Sequence, residues 1–505
     1  MLFFIAILFT SPLSALFLFI GFSIGNYAES FFRTPTQELN LYSESYNYSF
    51  VFTLIAGVFM TPSKLSIFFA SILTVITAII VTVASKILNP WFLPILSFPF
   101  ILVSLSFLLA LKTINPTQLN KLFFATPEDN LENSYTLKKR HKFGEIGLFL
   151  PVLGKWQIQQ AFDGDITHKG SWKYALDFVA LDENNKIIKN KGLDLEDHLS
   201  FAKDVFSPID GVVTSSISHE KDNKIAEVET SRNWGNYIII KSSYGFFVKL
   251  SHLKQNSLAV KIGDFVNAGQ KIAQCGNSGY SQEPHLHLQA QYQGEVGAKT
   301  IPFHLINYIS NNKIYFHRNP IKDEIIESIN FNQSSLKALN FIIGDKMFFK
   351  KSDNSIVEIT SEINEETGEF CLNDGTSKLH HFRIGSQFYF YNLTHNFKHK
   401  KLSALHHLFC AAPRIPLCYG QDLEYSDNIA FSLKNKKLTR FYNNFLLILG
   451  FDSNKKKGQY TINKQGLEIS GNFDGNLTYF KIDPILGIEE FRYGKEKYVR
   501  INQKN

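Results

Sequence analysis

The apolar positions of this chain change rhythm once, sharply. Between residues 1 and 115 they run almost unbroken, and only Glu29, Arg33, Glu38, Glu44, Lys64, Lys86 and Lys112 carry charge. Met1 to Ala28, Leu65 to Ser85 and Ile87 to Leu111 are uncharged and mostly apolar, each near or above the roughly 20 residues that cross a bilayer as a helix. They predict three membrane helices, with a weaker fourth over Tyr46 to Met60. The first lacks the basic leader of a signal peptide and further apolar segments follow, so it reads as retained. Pro90, Pro94 and Pro99 interrupt the third run, and each removes a backbone donor, which predicts a short or broken helix there.

Beyond residue 115 apolar and charged residues alternate. A linker is expected over 116–145, and a second unit over 146–310. In "VKIGDFVNAGQKIAQCGNSG" the glycines 263, 269, 276 and 279 separate short Val/Ile-rich runs, a pattern of tight turns joining short strands. "GNYIIIKSSYGFFVKLSHL" (235–253) predicts a hairpin turning at Ser243 to Gly245, and the charged insertion 181–204, broken at Gly192, predicts a surface loop. From 320 to 505, stretches such as "KMFFKK", "SQFYFYNL" and "KYVRI" predict a mainly β domain with one helix at "SALHHLFCAA". "FLLILG" (445–450) is too short to cross a bilayer and reads as a buried strand. The expected fold class is therefore multidomain: an α-helical membrane segment, an all-β domain, and a mainly β C-terminal domain.

At 505 residues the chain is long enough for about three domains. The net charge of +7 is spread thinly except in "KKRHK" (138–142). That run reads as a solvated linker or a contact with anionic lipid, and no nucleic-acid partner is expected. Cys275, Cys371, Cys410 and Cys418 show no C-x-x-C spacing, so neither a disulfide framework nor a zinc ribbon is expected. A Cys410–Cys418 bridge and two buried thiols both remain open.

The candidate chemistry lies in "GNSGYSQEPHLHLQAQYQG" (276–294). His285 and His287 sit two apart in a strand-like alternation and so share one face. His252 ends the hairpin, while "DITHKGSWKYALDFVA" supplies His168 on a loop and Asp177 on a strand. Imidazoles and a carboxylate from separate β segments suit zinc, whose catalytic sites use three protein ligands and keep one position for water. The V-x-x-G rhythm also occurs in biotinyl and lipoyl carrier domains, but the Met-Lys or Asp-Lys turn they modify is missing. His141, His198, His219, His304, His317 and the pairs His380/His381, His395/His399 and His406/His407 read as ordinary surface or hydrogen-bonded side chains.

"PHLHLQ" after "GNSGYS", the "SHL" ending a hairpin, and "YALDF" resemble the lysostaphin and LytM-type zinc metallopeptidases, which cut peptide cross-links in bacterial cell walls. The resemblance covers about residues 150–305. It implies antiparallel β structure of the duplicated-hybrid-motif kind, Zn2+ held by His168, Asp177 and His287, and His285 and His252 as catalytic non-ligands. One departure stands out: the position four before Asp177, where the family carries its first ligand, is Lys173, whose ammonium cannot coordinate a metal. His168 must then reach the site from a longer loop.

Residues 1–112, with "NYSFVFTLIAGVF" and "LPILSFPFILVSLSFLLAL", resemble one half of a urea-transporter domain. A half-domain implies a homo-oligomer if it is to enclose a pore. The function expected is a membrane-anchored zinc metalloendopeptidase acting on peptidoglycan peptide, with the peptidase on the extracytoplasmic side of the inner membrane. The alternatives are a catalytically inactive wall-binding or amidase-activating module, and a urea-type solute channel with a regulatory soluble part. "KKRHK" favours the cytoplasm by the positive-inside rule, but it begins about 26 residues past the last apolar run, where that bias is weak.

Overall fold

The apolar N-terminal stretch forms helices Leu2–Thr10, Pro12–Phe32, Ser45–Thr53 with a π-helical continuation to Phe59, Lys64–Leu88 and Phe98–Ile114. The computed structural model describes residues 2–32, 44–114, 126–136, 140, 142, 144–365, 368–395, 402–429, 437–451 and 456–501. Lys138, Lys139, His141 and His399 lie outside the described residues, as does the side chain of His395. The first expected span is divided at Ser11, because Pro12 opens a new helix at the position where its missing N–H costs nothing. The third is broken, as Pro90, Pro94 and Pro99 predict. Helix leaves off at Leu88, a 3-10 turn covers Asn89–Trp91, and helix resumes only at Phe98. Pro12–Phe32 and Lys64–Leu88 are the two described helices long and apolar enough to cross a membrane.

Small residues set the packing of this bundle. A Cβ on Gly25 would meet the Tyr48 ring, so its lack of a side chain lets helices Pro12–Phe32 and Ser45–Thr53 approach closely, the usual device between helices in lipid. The buried Asn47 amide donates to Leu96 O and accepts from Phe100 N, pinning the broken segment after Leu88.

Helix Pro127–Tyr135 then folds back on the bundle. Glu128 accepts from Ser11 Oγ and from Leu13 N at the start of helix Pro12–Phe32, where a carboxylate complements the helix dipole. Arg140 overturns the expectation of a solvated basic run. It is buried in the C-terminal domain, where its guanidinium pairs with Asp427 at 2.8 Å and donates to the carbonyls of Phe390 and Pro413. A long side chain with five donors can satisfy a buried carboxylate and two buried carbonyls at once, which charge density along the sequence does not reveal.

The β structure starts as a sheet whose antiparallel neighbours run Lys155–Gln160, Ala175–Ala180, Leu286–Gln291, Phe247–Leu253, Asn236–Ser242 and Gly211–Ile217. Its inner face packs Trp156, Ile158, Leu176, Phe178, Ile238, Ile240, Leu250, Leu286 and Leu288 into one apolar core. The hairpin expected at Ser243 to Gly245 forms, with Gly245 at φ +90. In the 181–204 insertion Asp197 ties the loop together by accepting from Asn190, Gly192 and Leu193.

The C-terminal strands form an antiparallel meander around helix Ala404–Ala411, every residue of which is buried. Ser403 caps that helix through His406 N. The expected strand at 445–450 is instead the end of helix Lys437–Ile448. Phe441, Leu447 and Ile448 join the core of the N-terminal bundle, and Arg440 pairs with Asp129 and Glu132. Apolar residues spaced for a helical face outrank a short apolar run read in isolation. Cys275, Cys371, Cys410 and Cys418 are all buried thiols, none of them joined in a disulfide.

Candidate active site

The middle strand of the peptide sheet carries the site. His287 on Leu286–Gln291 lies opposite Asp177 on one side and Ser251 on the other. His168 arrives from the loop before Ala175–Ala180. Its Nε2 lies 3.1 Å from Asp177 Oδ2, and His287 Nδ1 lies 2.8 Å from Asp177 Oδ1. One donor atom from each of the three falls within 4.8 Å of the others, and all three side chains are buried.

Neighbouring hydrogen bonds fix which imidazole nitrogen carries a lone pair. His168 Nδ1 faces Ala161 O at 3.0 Å, so the proton sits on Nδ1 and Nε2 turns a lone pair toward Asp177. His168 Nε2 has no aligned hydrogen-bond partner, an orphaned buried atom that calls for an explanation and that a metal ion would supply. For His287 the argument runs along a ladder of buried glutamines. Gln291 Nε2 donates to the carbonyls of Gln293 and Glu295, so its Oε1 accepts from Gln289 Nε2 at 2.8 Å. Gln289 therefore turns its Oε1 to His287 Nε2, 2.9 Å away, placing the proton there and leaving Nδ1 free. Such partners orient metal-ligating histidines, and the donor set fits a tetrahedral zinc with one open position.

Burial alone would raise the Asp177 carboxyl, but the imidazoles of His168 and His287 beside its two oxygens hold it well below the usual carboxylate range. Burial pushes His287 down, so both the carboxylate and the neutral imidazole are in the forms that bind a metal.

His252 and His285 stand beside this cluster with ring centroids 4.7 Å apart. His252 Nδ1 faces Ser278 O at 2.8 Å and His285 Nδ1 faces Glu283 O at 2.9 Å, which leaves both Nε2 atoms free. Burial, reinforced by His285 and His287, holds His252 well below the ordinary histidine range. His252 takes a left-handed φ of +61, a conformation that costs a non-glycine residue about 1–3 kcal/mol and clusters at functional sites. Gly279 (φ +78) lies behind it, where a Cβ would strike Gly235 N.

All five residues singled out from the sequence thus come together. Lys173 does not: its ammonium is exposed and lies 4.7 Å from the Tyr174 ring. Four neighbours were not singled out. Gln160 holds Asp177 and the His168 loop, and Gln289 orients His287. Trp234 packs on the His287 ring at 5.5 Å, and Lys249 lies under Trp234 with its Nζ 2.8 Å from the ring centroid. Gln289 was legible, since it shares the alternating face of His287; the other three depend on pairing between distant strands and loops.

Family models match two separate parts of the chain. Residues 188–297 match the model of peptidase family M23, and residues 1–112 match that of urea transporters. A protein described as an uncharacterized metalloprotease from Buchnera aphidicola is 43% identical over 68 residues, which are 14% of this chain and 18% of that protein. The peptidoglycan DD-endopeptidase ShyA of Vibrio cholerae is 26% identical over 144 residues, 28% of this chain and 27% of its own length. The chain thus spans less than a third of these curated relatives. Among solved structures, the catalytic domain of lysostaphin from Staphylococcus simulans is 20% identical, with 30% of this chain and 88% of that chain covered and a TM-score of 0.19. The catalytic domain of the prophage-encoded M23 protein EnpA from Enterococcus faecalis is 18% identical, with 30% and 94% covered and a TM-score of 0.22. His168 and Asp177 lie upstream of the matched 188–297 stretch.

Proposed function

We propose that this chain is a membrane-anchored zinc metalloendopeptidase that hydrolyses peptide cross-links of bacterial peptidoglycan. The observation that carries the reading is the convergence of His168, Asp177 and His287 within 4.8 Å, with His252 and His285 beside them. The match to family M23 and the likeness to a peptidoglycan endopeptidase support the peptide substrate. The domains proposed are 1–115 for the membrane, 146–310 for the peptidase and 320–505 for the C-terminal unit.

His168, Asp177 and His287 hold the metal, which when bound acts as a Lewis acid on the scissile carbonyl and activates a water. His285, with its proton on Nδ1, receives the water's proton at Nε2 and passes it to the leaving amine. His252, neutral with its Nδ1 turned to Ser278 O, presents a lone pair at Nε2 beside His285, where it accepts a hydrogen bond from the attacking water and orients it. Trp234 and Trp172, with rings 5.5 Å apart, wall the site on one side. The soluble part faces the wall, outside the cytoplasmic membrane. Incubation of the purified chain with peptidoglycan should yield new peptide ends that a chelator abolishes; intact muropeptides after incubation with zinc would overturn this reading.

A second reading has its own support in the urea-transporter match over residues 1–112. In that reading copies of the N-terminal bundle assemble into a solute channel. Urea uptake into liposomes holding the protein, compared with empty vesicles, decides it.

A further inference from the structure

The seam between the peptidase sheet and the C-terminal meander holds a groove of 1120 Å³, above the few hundred to about 1,000 Å³ usual for ligand sites. Its floor is a row of directly paired residues across successive strands: Lys313, Glu424, Thr461, Ser470, Tyr479 and Arg492. A second row, two residues along each strand, pairs Ser426, Gln459, Asn472 and Leu477. Both rows point outward, and all these side chains but the half-buried Tyr479 are exposed.

This lining has a definite chemistry. The hydroxyls of Thr461 and Ser470 lie in one row and the primary amides of Gln459 and Asn472 in the other, at the spacing of strands, about 4.8 Å, so a polymer crossing these strands meets hydrogen-bonding groups at each step. Tyr479 and Tyr315 supply flat faces for the C–H faces of sugar rings. Tyr315 is braced by stacking on Tyr308 at 5.5 Å and by Arg318 at 4.1 Å, so it costs little entropy to engage. Lys313 pairs with Glu424 and Arg492 with Glu490, so Lys457 carries the remaining positive charge of the lining, which favours an anionic ligand.

We propose that this groove binds a carboxylate-bearing amino-sugar strand, the polymer from which wall peptides hang. The identity of that polymer rests on the proposed function; the groove's chemistry does not. Bound there, the strand keeps its peptides near a peptidase domain joined to the groove through the pairing of Lys313 with Glu424.

The test uses the full chain in detergent and glycan strands stripped of peptide, with binding followed by fluorescence titration. Tyr479→Ala and Arg492→Ala should each weaken binding about tenfold or more, as expected where one favourable contact is lost, and Tyr479→Phe should bind as the parent does. No binding by the parent, equal binding by all variants, or binding to phosphatidylglycerol vesicles in place of strands would overturn the proposal. Cleavage of a soluble cross-linked peptide, read in parallel, should be unchanged in the variants. A parent that binds strands but never cleaves peptide would sink the peptidase reading and leave the groove standing.

Discussion

Gln160 donates through Nε2 to Asp177 Oδ2 over 2.9 Å, and its Oε1 accepts from the backbone of Ile166, Thr167 and His168. One amide thereby sets both the carboxylate proposed as a ligand and the loop that brings His168, nine residues upstream, beside it. Gln160→Ala should weaken metal binding about 10–100-fold, the usual cost of losing a residue that orients ligands. Competition with a chromogenic chelator measures it, and unchanged affinity would show that the loop holds itself.

Lys249 is the least comfortable side chain in the site. It is fully buried, its Nζ has no hydrogen-bond partner, and burial holds its amine well below the ordinary lysine range. Its one evident compensation is the Trp234 ring. A buried amine without a hydrogen-bond partner carries a desolvation cost that an apolar side chain of similar length avoids. Lys249→Met should therefore raise the unfolding temperature, and a marked fall would show that the Trp234 contact outweighs burial.

Arg140 and Asp427 anchor the linker to the C-terminal domain, both side chains being 2% exposed. Asp427→Ala strands two guanidinium groups, since Arg414 also approaches that carboxylate at 3.3 Å. Breaking such a buried pair from one side costs about 3–5 kcal/mol. Denaturant titration should register that loss, whereas a change under about 1 kcal/mol, the range of exposed pairs, would contradict the buried geometry.

His381 gives the fold a dependence on pH. It stacks on Phe388 at 5.2 Å and is flanked by Phe341 and Phe370, and burial, helped by His380, pushes it down to about 4. Above the ordinary histidine value near 6.5 both folded and unfolded forms are neutral, and nothing is lost. As pH falls from about 6.5 to about 4 the unfolded chain takes up a proton that the native state refuses, and stability declines by up to about 3 kcal/mol. His381→Phe should flatten that part of the profile; an unchanged slope would assign it to the other buried histidines.

Much of this was legible along the chain. The alternation through PHLHLQ put His285 and His287 on one strand face, and "YALDF" supplied Asp177. The apolar run before residue 115 announced its helices and the prolines announced the break after Leu88, but not the path to Phe98, which the Asn47 amide holds. "FLLILG" misled because six apolar residues carry no period; the helical face appears only with Phe441 included. Arg140 could not be read from "KKRHK", since a basic residue's burial depends on a carboxylate 287 positions away. Trp234 and Lys249 belong to the same class, brought to His287 by the pairing of three strands.

The proposed peptidase stands on a catalytic zinc held by His168, Asp177 and His287. Metal content and peptidoglycan cleavage should be measured together on the purified full chain, His168→Ala and His287→Ala. The parent should hold about one zinc per chain, as a single site with three protein ligands implies, and release new peptide ends, with both lost in each variant. A parent that cleaves without metal, or a His168→Ala protein that keeps its zinc and its activity, would contradict it.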